Sequence, residues 1–205
     1  MIRKFKYLVS GIIISVAIGV TSHLITHDLF DFSLPTFAAT SSGSTVNVSN
    51  QNIQYAFTRA KQHPEQLLID QINSAKTSLD IAIYSLTHPD IVKSISDAKK
   101  RGVAVRIISD EQQAGGKAQK QALKMLVNAK IPVKIDNHSG LMHLKITIVD
   151  QKLVTTGSFN YSKGAATDND EVLVVLKDEN LAKEWTSQFE DMWNDTKKFE
   201  DFVVN

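Results

Sequence analysis

The 205-residue sequence contains no cysteine, so disulfides and thiolate metal centres such as zinc fingers are excluded. The stability of the fold must therefore come from packing. The sequence also lacks an excess of charge of either sign, with 23 Lys and Arg against 22 Asp and Glu. Proteins that bind nucleic acid often carry a global basic excess, so such a function would here require a local basic groove.

No internal repeat is visible along the chain, and any motif that we describe occurs once. The composition, with 42% hydrophobic and 22% charged residues, is that of an ordinary globular protein. A chain of this length is long enough for one well-buried core. We therefore expect one main domain.

The apolar run near the N-terminus is shorter than the roughly 20 residues that a relaxed membrane span prefers. It covers residues 7–20 and could extend to residue 25, and three basic residues precede it within the first six positions. A cationic start followed by an apolar run is typical of a secretory signal or a signal anchor. Cationic residues before the run also favour a location outside the cytoplasm for the rest of the chain.

Whether this leader is cleaved is left open by the sequence. The small-residue stretch at residues 36–39 could be a cleavage site, although it lies farther from the apolar run than is usual. We assign residues 1–39 to a signal peptide or an N-terminal membrane anchor, in which residues 7–25 would associate with a membrane. We expect the protein to be secreted, periplasmic or anchored by this segment.

Residues 40–51 are rich in Ser, Thr, Gly and Asn and are predicted to be a flexible linker. The folded domain is then expected to cover residues 52–205. Without residues 1–39, the chain keeps 20 basic and 20 acidic side chains, so the domain is formally neutral.

Strand and helix patterns alternate through the first half of this domain. Strands are expected at residues 53–58, 78–84, 103–109 and 133–135, and helices from residue 64, from about residue 88 and at residues 116–128. Closely spaced strands then follow at residues 143–149, 153–156 and 172–176, before a final helix at residues 179–193. We predict an α/β fold with one mixed, largely parallel β-sheet flanked by helices on both faces.

The first of two short motifs is His-x-Lys-x-x-x-x-Asp at residues 143–150. Residues i and i+2 of a strand share a face, so His143 and Lys145 should project together toward one site. Leu144 should pack behind them. An imidazole beside a fixed cation is a pair that phosphodiester cleavage can use, for attack or proton donation and for charge neutralisation.

The second motif is Gly-Ser-x-Asn at residues 157–160. A turn at Gly157 would let the Ser158 and Asn160 side chains point to the same place. Fixed donors of this kind can bind the non-bridging oxygens of a phosphate group. The two motifs together therefore favour a phosphodiesterase.

Both motifs resemble the signature of the phospholipase D superfamily, and every position of that signature is present. The positions are His143, Lys145, Asp150, Gly157, Ser158 and Asn160. The resemblance extends from about Ala56 to Asn194, and residues 82–111 look like the first half of the small bacterial endonucleases of that superfamily. Those proteins carry a single motif and dimerise to build one active site, which implies a homodimer here.

The resemblance implies a two-step mechanism. His143 of one protomer would attack phosphorus to form a phosphohistidine, while His143 of the other protonates the leaving alcohol. Water would then attack, activated by the second histidine. Lys145 and Asn160 would bind the phosphoryl oxygens, with Ser158 as a supporting donor.

The remaining site residues also follow from the resemblance. Glu171 matches the family's later acidic position and would accept a hydrogen bond from the other ring nitrogen of His143, fixing its tautomer. Asp150 is mostly a structural part of the motif in that family. No metal or other cofactor is implied, because Lys145 and its symmetry mate supply the charge that magnesium supplies elsewhere.

The substrate is expected to be nucleic acid, DNA first and RNA second, because a small chain leaves little room for an acyl-chain pocket. Lys117, with Lys120 and Lys124 at helical spacing behind it, would form a local basic rim, and Lys163 would touch the substrate backbone. A phospholipid hydrolase of the cardiolipin-cleaving type is the main alternative. A non-catalytic nucleic-acid-binding module is the third hypothesis, although binding alone would not require the full catalytic set.

Overall fold

The structure, a computed structural model, describes residues 52–203 and places them in one eight-stranded sheet with six helices. The predicted leader and linker lie outside these residues. The strands are β1 (Ile53–Phe57), β2 (Ser78–Ile83), β3 (Ala104–Ser109), β4 (Val133–Asp136), β5 (Lys145–Val149), β6 (Leu153–Gly157), β7 (Val172–Leu176) and β8 (Phe199–Asp201). The helices are α1 (Pro64–Ser74), α2 (Pro89–Lys100), α3 (Glu111–Gly115), α4 (Lys117–Asn128), α5 (Lys163–Thr167) and α6 (Glu179–Asn194).

The strand order across the sheet is β1-β7-β6-β5-β2-β3-β4-β8. The predicted α/β class and the mixed sheet flanked by helices are confirmed. The sheet is not largely parallel, however, because only β2-β3 and β3-β4 pair in parallel and the other five pairings are antiparallel. The alternation of strand and helix is interrupted after β4, where β5 follows directly and is joined to β6 by a tight turn that needs no helical crossover.

Helices cover both faces of the sheet because neighbouring strand residues are buried on opposite sides. In β2, Ile81 and Ile83 belong to one apolar cluster, whereas Ala82 belongs to the other. Apolar residues of α1, α2 and α4 line the first cluster, and those of α6 line the second. Burial on both faces explains why β2 is an almost continuous apolar run in the sequence.

Three elements were not predicted from the sequence: α3, α5 and β8. Helices of five residues and a strand of three are too short for a hydrophobic period to show. Strand β5 also begins two residues later than predicted, so His143 lies in the segment before the strand. Within residues 52–203, no helix is long and apolar enough to span a membrane.

Arg106 forms a largely buried ion pair within the sheet and a more exposed one with α6. Arg106 of β3 donates to the two carboxylate oxygens of Asp80 at 2.8 and 2.9 Å, and it lies 2.8 Å from Glu190 of α6. Its guanidinium carbon is 5.0 Å from the centroid of the Phe189 ring. The hydrogen bond from Arg106 lowers the pKa of Glu190 below its usual range.

Replacement of Arg106 by glutamine should therefore destabilise the fold. Asp80 is 3% exposed and would be left as a buried carboxylate without a counter-charge. We expect a loss of about 3 kcal/mol in the free energy of unfolding, the low end for a buried pair, because the Arg106 side chain is itself 26% exposed. Urea unfolding at neutral pH measures the loss. Lys93→Gln, which breaks an exposed ion pair on α2, should change little, and equal effects of the two substitutions would contradict this account.

Candidate active site

Several strand ends meet at one edge of the sheet. Strand β5 runs antiparallel to β2 and β6, and β7 runs antiparallel to β6. The starts of β5 and β7 therefore lie at the same edge as the ends of β2 and β6. This edge carries Lys145 at the start of β5, Ser158 directly after β6 and Glu171 directly before β7. Residues that are distant in the sequence therefore lie at the same edge of the sheet.

Lys145 contacts His143 twice. Its Nζ donates to the main-chain oxygen of His143 at 3.0 Å and lies 3.2 Å from the Nε2 atom of the same residue. An ammonium group has protons to donate and no lone pair, so the charged Lys145 requires Nε2 to accept. Nε2 is then the unprotonated ring nitrogen, as a nucleophile requires. The imidazole is exposed at the surface, whereas Lys145 is 7% exposed.

Burial lowers the pKa of Lys145, and the negative charge of Glu171 opposes this shift. Burial disfavours the charged form of an amine, whereas a nearby carboxylate favours it. Glu171 therefore helps to keep Lys145 protonated. No hydrogen bond joins Glu171 to His143 in the described part of the chain; its Oε1 accepts from Asn169 Nδ2 at 3.1 Å. The predicted role of Glu171 in fixing the histidine tautomer stays a prediction.

The fall of kcat/KM at alkaline pH, the alkaline limb of the pH profile, should follow the titration of Lys145, which Glu171 influences. Loss of the Lys145 proton removes the charge that would bind the phosphate, so kcat/KM should fall at a pH below that of an ordinary lysine. Glu171→Gln removes the charge that raises the pKa of Lys145, and the limb should move to lower pH. The neighbouring Asp170, 84% exposed, provides the control Asp170→Asn, which should leave the limb in place. A limb that stays fixed in Glu171→Gln would refute the coupling.

Ser158 and Asn160 lie in the turn after β6, at the edge of the sheet where β5 begins. Gly157 has a φ of 131°, and the backbone N–H groups of Ser158 and Phe159 both donate to the carbonyl oxygen of Val172. Phe159 is fully buried, whereas Ser158 is exposed and Asn160 is partly exposed. The Ser158 hydroxyl accepts a hydrogen bond from Val172 N at 3.2 Å.

Asn160 Oδ1 is buried, and no hydrogen bond to it is found within residues 52–203. A buried acceptor without a donor costs about 1–3 kcal/mol, and such atoms require an explanation. The position of Asn160 in the second motif makes a role toward a bound group the natural one. Its predicted contact with phosphoryl oxygens stays a prediction.

Asp150 lies at the other end of β5, away from Lys145. Its carboxylate accepts hydrogen bonds from the backbone N–H groups of Lys76, Thr77 and Ser78 and from the Thr77 hydroxyl. Burial acts to raise the pKa of Asp150, but these hydrogen bonds outweigh it and the pKa is lowered. The contacts tie the turn after β5 to the connection between α1 and β2, which is a structural role.

The predicted substrate-binding lysines lie near the same edge of the sheet. Lys117 begins α4 and Lys163 begins α5, three residues after Asn160, and both side chains are exposed. Gln119 of α4 donates to the carbonyl oxygen of Tyr84 at 3.1 Å, which ties the start of this helix to the end of β2. Contact of Lys117 and Lys163 with a substrate stays a prediction.

Tyr84, directly after β2, was missed by the sequence analysis. Its ring makes a T-shaped contact with the His143 ring, with centroids 4.6 Å apart, and its centroid is 5.2 Å from Lys145 Nζ. Gln113 Nε2 of α3 donates to the Tyr84 hydroxyl at 3.1 Å. Asp110, which caps α3, accepts from the backbone N–H of Met142 at 3.2 Å. Both contacts depend on α3, which the sequence pattern did not reveal.

A groove of about 580 Å³ opens beside His143. Its apolar lining consists of Leu141, Met142, Leu144, Met192 and Phe199, with His138, Asp191, Asp195 and Lys198 among the polar residues. Leu144 is 40% exposed, so the prediction that it packs behind the site is wrong. The reason is that Leu144 precedes β5 and is not fixed by the alternation of the strand.

Residues 52–203 contain no cluster of three or more His, Cys, Asp or Glu side chains arranged to hold a metal ion. Lys145 contacts His143, and the Ser158 hydroxyl and the Asn160 amide lie at the same edge of the sheet. Such groups can bind phosphoryl oxygens directly.

Comparison with known sequences gives a consistent picture. The profile of a family described as cardiolipin synthase, PLD-like domain, matches residues 68–193. The chain is 36% identical over 126 residues to the mitochondrial cardiolipin hydrolase of Chlamydomonas reinhardtii, covering 62% of this chain and 56% of that protein. It is 38% identical over 117 residues to a phospholipase D of Rickettsia bellii, covering 57% of each chain. The chain thus spans a little over half the length of these curated relatives.

Solved structures extend the comparison to the fold. Nuc of Salmonella typhimurium, a phospholipase D family member, superposes with a TM-score of 0.69 and 37% identity, covering 74% of this chain and 98% of that chain. NucT of Helicobacter pylori superposes with a TM-score of 0.65 and 28% identity, covering 73% of this chain and 99% of that chain. The similarity therefore covers nearly the whole of Nuc and of NucT, and about three quarters of this chain.

Proposed function

The chain belongs to the family of phospholipase D-like proteins, and we propose that it is a metal-independent phosphodiesterase that cleaves nucleic acid, DNA first and RNA second. The observation that carries the proposal is the contact between the Lys145 ammonium and the Nε2 atom of an exposed His143. Ser158 and Asn160 follow β6 at the same edge of the sheet. A nucleophile, a cation and hydrogen-bonding groups around one position are what phosphodiester cleavage needs.

Two steps account for the reaction. In the first, Nε2 of His143 attacks phosphorus and forms an N–P bond, while the P–O bond to the leaving alcohol breaks and the alcohol takes a proton from His143 of the partner subunit. In the second, that partner histidine takes a proton from water, whose oxygen attacks phosphorus and displaces Nε2. The second histidine acts first as an acid and then as a base.

Lys145 would neutralise the charge on the phosphoryl oxygens during both steps. Because it is 7% exposed, it acts where water screens its charge less than in bulk solvent. Stabilisation by a fixed group of this kind typically contributes about 10²–10³-fold to a rate. Asn160 and Ser158 would supply further hydrogen bonds to the same oxygens.

A homodimer is part of the proposal. One imidazole cannot attack phosphorus and protonate the leaving group on its opposite side at the same time, and the sequence supplies the motif once. The exposed His143, with Leu141 and Leu144 also exposed beside it, leaves the site open to a second copy. Sedimentation at concentrations where the protein is active tests this, and an active monomer would overturn the shared site.

Two observations support nucleic acid as the substrate. Residues 82–111 resemble small bacterial endonucleases of the superfamily, and the exposed Lys117 and Lys163 lie near the site edge, where they could bind a polyanionic backbone. The formal neutrality of the domain makes such a local arrangement necessary.

A phospholipid hydrolase is the second candidate, and one feature favours it. The groove beside His143 is lined largely by apolar side chains, which suit an acyl or glycerol group. Several relatives are named as cardiolipin hydrolases or phospholipases D. Both candidates use the same attack by His143 and differ in the groups that surround the phosphate.

The decisive experiment compares plasmid DNA, RNA and cardiolipin vesicles as substrates in excess EDTA, with His143→Ala alongside. Cleavage of DNA or RNA that survives EDTA and is lost in the variant supports the proposal. Turnover of cardiolipin alone would replace it with the lipid hydrolase. Activity that EDTA abolishes would refute the metal-free mechanism, and binding of DNA without any cleavage would make the protein a binding module.

A further inference from the structure

We propose that Tyr84 is a positioning residue whose ring holds the Lys145 ammonium and the His143 imidazole in their reactive arrangement. This inference rests on the proposed function, because it assigns a role to a residue that lies outside both motifs. It concerns the electrostatic character of the ring as well as its volume. The contacts of Tyr84, its own supports and the surroundings of Lys145 all lead to it.

The Lys145 ammonium contacts both His143 and the Tyr84 ring. An ammonium group has three N–H donors, and Lys145 directs hydrogen bonds to the main-chain oxygen and the Nε2 atom of His143, at 3.0 and 3.2 Å. The Tyr84 ring lies beside the same nitrogen, with its centroid 5.2 Å away. The negative face of an aromatic ring attracts a cation at this distance, and more strongly when the cation is shielded from water. Tyr84 thus stabilises the charged form of Lys145.

Tyr84 is itself fixed from several directions. Its backbone N–H donates to the carbonyl oxygen of Leu144 at 2.9 Å, and its own carbonyl accepts from Gln119 at 3.1 Å. Its hydroxyl accepts from Gln113 at 3.1 Å. The segment before β5 and helices α3 and α4 therefore all hold this residue, and the ring has little freedom to move away from His143.

Three groups from different parts of the fold act on Lys145. His143 approaches it from the segment before β5, Glu171 influences it from the start of β7, and Tyr84 approaches it from the end of β2. Glu171 and Tyr84 both favour the ammonium form, the first by its charge and the second by its ring. Their effects can be separated, because substitution at position 84 leaves the carboxylate in place.

The experiment changes the ring's charge distribution and keeps its shape. Phenylalanine, monofluorophenylalanine and trifluorophenylalanine at position 84 weaken the attraction to a cation in steps, while Tyr84→Leu removes the ring. The readouts are kcat and KM for bis(para-nitrophenyl) phosphate across pH, and the titration of Lys145 followed by NMR of carbon-labelled lysine. The full chain is used throughout, and thermal unfolding confirms that each variant folds.

We expect kcat to fall in steps along the fluorinated series, by about 2- to 30-fold in total, and the Lys145 titration to move to lower pH by up to about one unit. Tyr84→Phe should stay close to wild type, because it keeps the ring and loses only the bond to Gln113. Tyr55 on β1, which packs against Phe57, provides the control: the same fluorinated residues there should change neither readout.

Equal kcat and equal Lys145 titrations for phenylalanine and trifluorophenylalanine at position 84 would overturn the proposal and reduce Tyr84 to a packing residue. The titration does not depend on turnover. A Lys145 titration that moves with fluorination in a protein that cleaves no phosphodiester would support the role of Tyr84 toward Lys145 and refute the proposed function alone. The two failures are therefore distinguishable.

Discussion

Replacement of His143 by alanine is expected to reduce kcat by about 10⁴-fold or more, the largest effect of any single substitution in this chain. In the proposed shared site, the change would remove the nucleophile from one subunit and the acid from the other. The exposed position of His143 means that the fold should survive, so the melting temperature should change little. Steady-state cleavage of DNA and thermal unfolding measure the two quantities, and a variant that retains a tenth of the activity would exclude His143 as the nucleophile.

Mixing wild-type and His143→Ala subunits extends this prediction to the proposed dimer. A dimer of one wild-type and one His143→Ala subunit keeps one imidazole and lacks either the nucleophile or the acid. An excess of the variant, added under conditions where subunits exchange, should therefore depress wild-type activity below the value expected from dilution. An excess of Lys93→Gln, which alters an exposed ion pair on α2, serves as the matched control and should not depress it.

Gly157→Ala is the second substitution for which we expect a large effect. Gly157 has a φ of 131°, and a Cβ atom at this position would lie 2.1 Å from the carbonyl oxygen of Val172. The clash is with backbone, so β6 and β7 must separate here and carry Ser158 and Asn160 with them. We expect a loss of about 3 kcal/mol in the free energy of unfolding and a fall of about 10²-fold in kcat.

Gly115→Ala is the matched control for this substitution. Gly115 ends α3, and a Cβ atom there would meet no other atom within 4 Å. Alanine should be tolerated or slightly stabilising, because it restricts the unfolded chain more than glycine does. Urea unfolding and DNA cleavage compare the two variants. If Gly157→Ala matched wild type in both measurements, the close approach of β6 to β7 would not constrain the site.

The placement of the candidate site residues could be predicted because they lie in two short motifs. Alternation along β5 and the turn at Gly157 are local properties, and they place Lys145, Ser158 and Asn160 at one edge of the sheet. Tyr84 could not be predicted in the same way. Its contacts with His143 and Lys145 cross from β2 to β5, and a pairing between strands so far apart in the sequence leaves no local signal.

The fold shows the same limit. Long elements with a clear period, such as α2 and α6, were predicted to within a few residues, whereas α3 was too short to show one. The alternation of strand and helix as far as β4 led us to expect a largely parallel sheet. The direction of β5 depends on the loop between Asn137 and Leu144, whose course is set by tertiary contacts such as that between Asp110 and Met142.

If His143 is the nucleophile, the hydrogen bond from Lys145 to its unprotonated Nε2 would also moderate the reactivity of this nitrogen before a substrate binds. While the lone pair of Nε2 accepts this hydrogen bond, it is less available to attack an electrophile. In the proposed reaction, the oxygens of a bound phosphate would accept hydrogen bonds from the same ammonium and draw it away from the imidazole. Substrate binding would then release the lone pair of Nε2 for attack on phosphorus.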